Sequence, residues 1–156
     1  MGLFDFFKKI DWEKVKQSKD VYPQNSISVV MTKTENEKPA TGWVDLACKD
    51  YEFKKFCPHN LQFSIEIDDN NSSHLDMGTI EDYFINELKK ECIVHPVSRI
   101  VTDFGFIMDL YIDNVDLAEK TLKELYENPN KITEFGCGFN YDPKWREYLR
   151  ITKLIK

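Results

Sequence analysis

The chain has 156 residues, 42% apolar and 31% charged, with 21 basic and 27 acidic side chains and a formal net charge of -6. That length suits a single domain that buries a core without staples, and that balance is globular rather than disordered. The acidic surplus repels a phosphate backbone at long range, so nucleic acid is not an expected partner, and no run of about 18 apolar residues offers a membrane span.

In residues 1–26, Leu3, Phe6, Phe7 and Ile10 recur at helical spacing, with Asp5, Lys8 and Lys9 elsewhere around the wheel. Two readings are open: an interfacial helix giving weak association with a membrane or partner, or an opening helix packed on the domain. The lysines follow the apolar run and no small-residue cleavage site comes after, so this is not a secretory signal. Phe6 stands where myristoylation needs Ser or Thr. Cys48, Cys57, Cys92 and Cys137 lie far apart with no CxxC pair, and they read as buried free thiols of a reducing compartment. A cytoplasmic protein is expected.

Ser26 to Thr34 and Thr41 to Cys48 read as two strands joined by the polar Glu35-Asn36-Glu37-Lys38-Pro39, a hairpin with a long loop. Asp50 to His59 is a connector carrying Tyr51, Phe53 and Phe56. Such a short stretch rarely builds its own core, so the hairpin is expected to extend the main sheet rather than form a lobe.

From Leu61 the alternation is clear. Leu61, Phe63, Ile65 and Ile67 face one way, and Gln62, Ser64, Glu66 and Asp68 the other, which predicts a sheet with helices on one face only. After the polar loop 69–74, Thr79 is the expected cap of a helix to about Glu91 that buries Ile80, Phe84 and Leu88. Val97, Ile100 and Val101 give a second strand with blurred alternation, for which Pro96 marks an edge or a start. Beyond the turn at Asp103-Phe104-Gly105, a third strand turns Phe106, Met108, Leu110 and Ile112 to the core and Ile107, Asp109 and Tyr111 away. Asp113 or Asn114 caps a second helix with the stripe Val115, Ala118, Leu122 and Leu125. Phe135, Cys137 and Phe139 alternate in a last strand, where Gly136 and Gly138 suggest a bulge or a close backbone approach. Asp142-Pro143-Lys144-Trp145 opens a short terminal helix.

The element order predicts an α+β fold, a ferredoxin-like split βαββαβ sandwich over 60–141 with an N-terminal β-hairpin and connector over 27–59 and a short C-terminal helix over 142–156. Residues 27–156 are read as one domain.

Chemistry-bearing patterns are sparse. Cys57-Pro58-His59 offers two metal ligands where structural zinc wants four. The loop from Asp68 to Asp76 has calcium-friendly oxygens at alternate positions but lacks the EF-hand's glycine and closing glutamate. Glu66 and Asp109 could approach across neighbouring strands as paired carboxylates do, or stand as exposed charges. Phe104-Gly105-Phe106-Ile107 matches the centre of an RNA-recognition signature, yet Thr102-Asp103 replaces its basic-glycine pair and Asp109 its final aromatic. No bound metal or cofactor is expected, and the balance leans away from an enzyme.

The run Lys38-Pro39-Ala40-Thr41-Gly42-Trp43-Val44-Asp45, then Tyr51 and Cys57-Pro58 leading into Leu61-Gln62-Phe63-Ser64-Ile65-Glu66-Ile67, resembles a bacterial family known as domain of unknown function 695. So do Ser98-Arg99-Ile100-Val101-Thr102-Asp103-Phe104-Gly105 and Asp142-Pro143-Lys144-Trp145-Arg146-Glu147-Tyr148, and the likeness spans roughly residues 27 to 151. Where that family has Gly before the arginine, this chain has Ser98. The resemblance implies no established reaction. A more distant likeness in fold and size is to the class B protein regulators of ribonuclease E, which are small, acidic and non-catalytic.

Three functions are compatible with this reading. The first is an interaction or regulatory module binding a protein partner through the polar sheet face, with Glu66, Arg99, Asp109 and Tyr111 as contact residues if Arg99 points away from the helices. In the competing reading, the hairpin or the helix bearing Trp145 and Tyr148 folds over that face and makes these four an internal network. The second function is a small-ligand binder or undetected enzyme with a site at the hairpin–sheet junction near Trp43, Tyr51 and His59. The third is a toxin-neutralising immunity protein.

Overall fold

In the computed structural model, which describes residues 9–67 and 75–155, six strands form one antiparallel sheet carrying four α-helices. The strands are β1 (Ile27–Lys33), β2 (Pro39–Asp45), β3 (His59–Glu66), β4 (Val94–Val101), β5 (Gly105–Ile112) and β6 (Phe135–Tyr141). Helix α1 (Trp12–Lys16) precedes them, α2 (Met77–Lys89) follows β3, α3 (Val115–Glu127) follows β5, and α4 (Arg146–Thr152) closes the chain. Across the sheet the order is β1-β2-β4-β5-β3-β6, so the hairpin lengthens the sheet beside β4. The expected helical reading of Leu3, Phe6 and Phe7, and the calcium-like loop before Leu75, lie outside the described residues.

One face carries the core that the alternation predicts. Leu61, Phe63 and Ile65 of β3 pair with Leu110, Met108 and Phe106 of β5, and all six are buried beneath Ile80, Phe84 and Leu88 of α2 and Ala118 and Leu122 of α3. Asp76, rather than Thr79, caps α2: its carboxylate accepts from the Thr79 amide at 2.9 Å, and the Thr79 hydroxyl donates to it at 2.9 Å. A carboxylate is the stronger acceptor at a helix's positive end. Asn114 caps α3 as anticipated.

The second face is not open, which corrects the expectation of a sheet covered on one side only. Val30, Val44, Val97 and Tyr111 of the sheet are buried beneath Cys48, Tyr51, Phe53 and Cys57 of the connector and Trp145, Tyr148 and Ile151 of the C-terminal segment. The Trp145 ring stacks on Tyr111, with centroids 4.1 Å apart and planes 13° from parallel. Its indole N–H donates to the Cys57 carbonyl at 2.9 Å, and the Tyr148 hydroxyl donates to the Asp45 carbonyl at 2.8 Å. The second strand was expected to run to Cys48, but β2 stops at Asp45, whose side chain caps a 3-10 turn over Leu46–Asp50 by accepting from Ala47, and a second such turn follows over Lys54–Phe56.

Three further details depart from the sequence reading. Gly136 and Gly138 sit in regular pairing with β3, and a Cβ on either would meet nothing, so neither a bulge nor a close approach explains them. The glycine that is required is Gly105, where a Cβ would run into the Ile65 carbonyl. Cys48, Cys57 and Cys92 are buried free thiols, but Cys137, on the edge strand β6, is exposed.

Leu122 is enclosed between α3 and the sheet, so Leu122→Ala should cost about 2–5 kcal/mol in chemical denaturation. A change below about 0.5 kcal/mol, typical of surface positions, would place the helix stripe elsewhere.

Candidate functional site

The four anticipated contact residues do not share a free surface. Tyr111 lies under Trp145, and its hydroxyl donates to Asp142 at 2.7 Å. Asp109 is buried beside it, accepting from Asn60 at 3.2 Å, and burial raises its carboxyl above the usual carboxylate range. Glu66 is exposed at the end of β3, paired with Gly105, whereas Asp109 pairs with Gln62. Four residues of strand, about 13 Å, therefore separate the two carboxylates, and they form no acid–base pair.

Arg99 points toward the helices, opposite to the assumed direction, and a β-bulge is the reason. Val94, His95 and Pro96 of β4 pair in step with β5, but one extra residue enters between Pro96 and Ser98. A one-residue slip sends every later side chain to the other face. Arg99 thus opposes Met108 on the helix side, and its guanidinium donates to Glu81 of α2 at 3.0 Å. Burial raises the Glu81 carboxyl, while Arg99 and a hydrogen bond with Trp43 work against that rise.

Trp43, Tyr51 and His59 are likewise not brought together. Trp43 pairs with Arg99 and lies on the helix side, Tyr51 belongs to the second-face core, and His59 packs on Tyr141 at the β6 edge. Cys57 is fully buried, and among the described residues no three His, Cys, Asp or Glu side chains gather as metal ligands. Phe106 of the RNA-recognition-like run is sealed in the core and Phe104 projects from the turn, so the pair cannot form a base-stacking platform.

What the fold leaves bare is the helix-side face of the hairpin. Helices α2 and α3 cover β3, β5, β6 and β4, and the added strands reach past them. Ile27, Val29 and Met31 of β1 are 53%, 69% and 73% exposed, with Val29 opposite Trp43 on β2. Among the described residues β1 is also an unpaired edge. The Thr34 amide donates to Lys38 and the Leu46 amide to Ser26, each at 2.8 Å. The even-numbered residues between them therefore spend their backbone groups on β2, and Ile27, Val29, Met31 and Lys33 turn theirs outward.

At its inner end this face sinks into a cavity of about 430 Å³ between the hairpin and α2. The opening exists because β2 pairs with only Ser98, Ile100 and Arg99 of β4, leaving the start of β4 without a neighbour on that side. Pro96, with no N–H to offer, borders the gap. Tyr22, Trp43, Glu81, Lys89 and His95 are among the lining residues, and the Lys89 ammonium sits 4.6 Å over the Tyr22 ring. His95 is buried among Tyr22, Tyr51 and Trp145, and its Nε2 has no hydrogen-bond partner. Burial, with help from the Lys89 charge, pushes its imidazole down to about 3.

No protein-family model, curated protein or solved structure matches the chain. The bare strand was missed from sequence; a site at the hairpin–sheet junction near Trp43 was expected, and the cavity lies there, but Tyr51 and His59 are not among its lining residues. The alternation of Ile27, Val29 and Met31 with Ser28 and Thr32 was a visible signal, but it is the ordinary mark of a buried face.

His95 gives a pH dependence with a definite sign. Its imidazole is neutral in the folded state down to about pH 3 and protonates from about 6.5 when unfolded, so its contribution is present above 6.5 and is lost as pH falls below it. Between pH 7 and pH 5 that loss should be about 2 kcal/mol. The raised carboxyls of Glu81, Asp109 and Asp113 act in the opposite sense, holding protons in the folded state and favouring it at low pH. The comparison that isolates His95 is therefore chemical denaturation of wild type against His95→Phe at both pH values. The variant should lose less stability on acidification, and identical losses would show that the imidazole is hydrated in the fold.

Proposed function

We propose that the chain is a non-catalytic interaction module that takes a protein partner along β1 and across the hairpin's bare face. The observation that carries this is the coincidence, on the same residues, of exposed apolar side chains and outward-turned backbone groups. Native sheets guard their edges with charges, prolines or bulges, whereas the outward side chains of Ile27, Val29 and Met31 carry no charge, and the only charge on the strand is Lys33 at its end. Strand addition satisfies the backbone and the side chains at once. A cytoplasmic setting belongs to this reading and is supported by the free thiols of Cys48, Cys57 and Cys92.

We further read β3 to β6 with α2 and α3 as a ferredoxin-like unit. The order β4-β5-β3-β6, with both helices over one face, supports it. We also read the chain as similar to domain of unknown function 695 over roughly residues 27 to 151, a span that takes in both this unit and the hairpin that bears the edge.

The test uses immobilised protein and extract of the native cell. Val29→Lys changes an exposed position and should leave the melting temperature nearly unchanged, as should the control Lys123→Glu on α3. A partner held by wild type and by the control should be lost with Val29→Lys, and the same fraction should slow hydrogen exchange at the amides of Val29 and Met31. Equal capture by all three proteins would overturn the proposal.

The cavity favours a second reading, a small-ligand site, because a buried Nε2 without a partner stands among its lining residues. Small aromatic fragments bearing a hydrogen-bond donor should then shift the NMR signals of His95 and Trp43. Shifts confined to surface residues, at concentrations that saturate them, would exclude it.

A further inference from the structure

We infer that the occupant of the β1 edge is a second copy of this chain, paired antiparallel about Val30 so that two sheets join into one. This rests on the reading of β1 as an interaction edge and names the partner.

The strand is close to a palindrome in chemical character. With Val30 on a twofold axis, Ser28 falls opposite Thr32 of the other copy, Val29 opposite Met31, and Ile27 opposite Lys33. Hydroxyl meets hydroxyl on one face and aliphatic meets aliphatic on the other, the kind of cross-strand pairing that stabilises antiparallel sheets. No like charges meet, because Lys33, the strand's single charge, faces an isoleucine.

The backbone parity agrees. Antiparallel ladders alternate between residues that exchange both hydrogen bonds and residues that exchange none. The residues whose N–H and C=O groups turn outward are Ile27, Val29, Met31 and Lys33. A centre at Val30 matches odd-numbered residues with odd-numbered residues, so every free group meets a free group. Slipping the register by one residue, which moves the centre by half a residue to a peptide bond on either side of Val30, would oppose outward groups to inward ones. Moving it by a whole residue, to Val29 or Met31, keeps the parity but puts Ser28 opposite Val30 or Val30 opposite Thr32.

The twofold also sets the two bare hairpin faces side by side. Each Val29 and Met31 gains an apolar neighbour, with Trp43 one strand behind. An edge contact of seven residues a side lies at the small end of stable interfaces, below roughly 1,200 Å². The association is therefore concentration-dependent, with a dissociation constant between about 1 µM and 1 mM.

Sedimentation of the full chain over that range tests this. The wild-type mass should rise from one chain toward two. Val29→Pro removes an outward N–H without touching a bond to β2, and Val29→Lys places a charge at the centre; both should stay at one chain with an unchanged far-UV spectrum. The register is tested separately in a Cys137→Ser background. Mild oxidation of an equimolar mixture of Ser28→Cys and Thr32→Cys chains should yield the mixed disulfide in several-fold excess over either homodimer. A wild type that holds one chain's mass throughout would overturn the self-pairing, and so would statistical disulfide yields. That failure is distinct from failure of the interaction reading: a single-chain wild type whose Val29 and Met31 amides are protected by cell extract would keep the edge and lose only its named occupant.

Discussion

Much of this structure hangs on one side chain held against its own backbone preference. Trp145 has φ 53°, the left-handed region, which costs a non-glycine residue roughly 1–2 kcal/mol. That conformation turns the indole inward, where it is fully buried, stacks on Tyr111 and donates to the Cys57 carbonyl. Burying an aromatic of this size and pairing its N–H outweighs the strain. The Asp142 carboxylate ties the same corner, accepting from the Tyr111 hydroxyl and from the Glu147 amide. Through these contacts the C-terminal segment closes over the second sheet face and converts Tyr111 and Asp109 from surface groups into internal ones.

Closing that face decides where the chain has surface to spare. The second face is packed by the connector, α1 and α4, and the first by α2 and α3, but two helices cannot span six strands. The hairpin therefore overhangs the helical layer. Its second face is anchored through Val30 and Val44, and its first face is left in solvent. An element so placed is held rigidly by the core and yet presents unpaired backbone and apolar side chains, which is the combination an interaction edge needs.

The β4 bulge is the second constraint with long reach. By shifting the strand's parity after Pro96, it aims Arg99 at Glu81 and ties the hairpin side of the sheet to α2 by a half-buried ion pair. Removing one partner of such a pair costs more than the pair itself contributes, because the other charge is left behind in a poorly solvated place. The same strand leaves His95 facing the cavity, in a gap that exists only because β2 turns away at Asp45.

The residue pattern by itself determined the element order, the helix-side core and its register-compatible faces, because periods of two and 3.6 are written locally and a buried stripe must repeat at them. It determined the hairpin as well, and the stripe of Ala118 and Leu122. It did not distinguish the second face of the sheet from solvent. Tyr111 and Asp109 alternate with the core residues and read as exposed, and only the tertiary structure made them internal, with Trp145, from more than thirty residues further along the chain, stacked on Tyr111 and Asn60 bonded to Asp109. It also misdirected Arg99, since a single inserted residue reverses a strand's faces and leaves no mark beyond the blurred alternation of Val97, Ile100 and Val101. Ile27, Val29 and Met31 had the spacing of a buried face and are bare. Whether an apolar stripe is core or contact surface depends on what other elements are long enough to cover it, and that was decided only when the tertiary structure set two helices over a sheet of six strands.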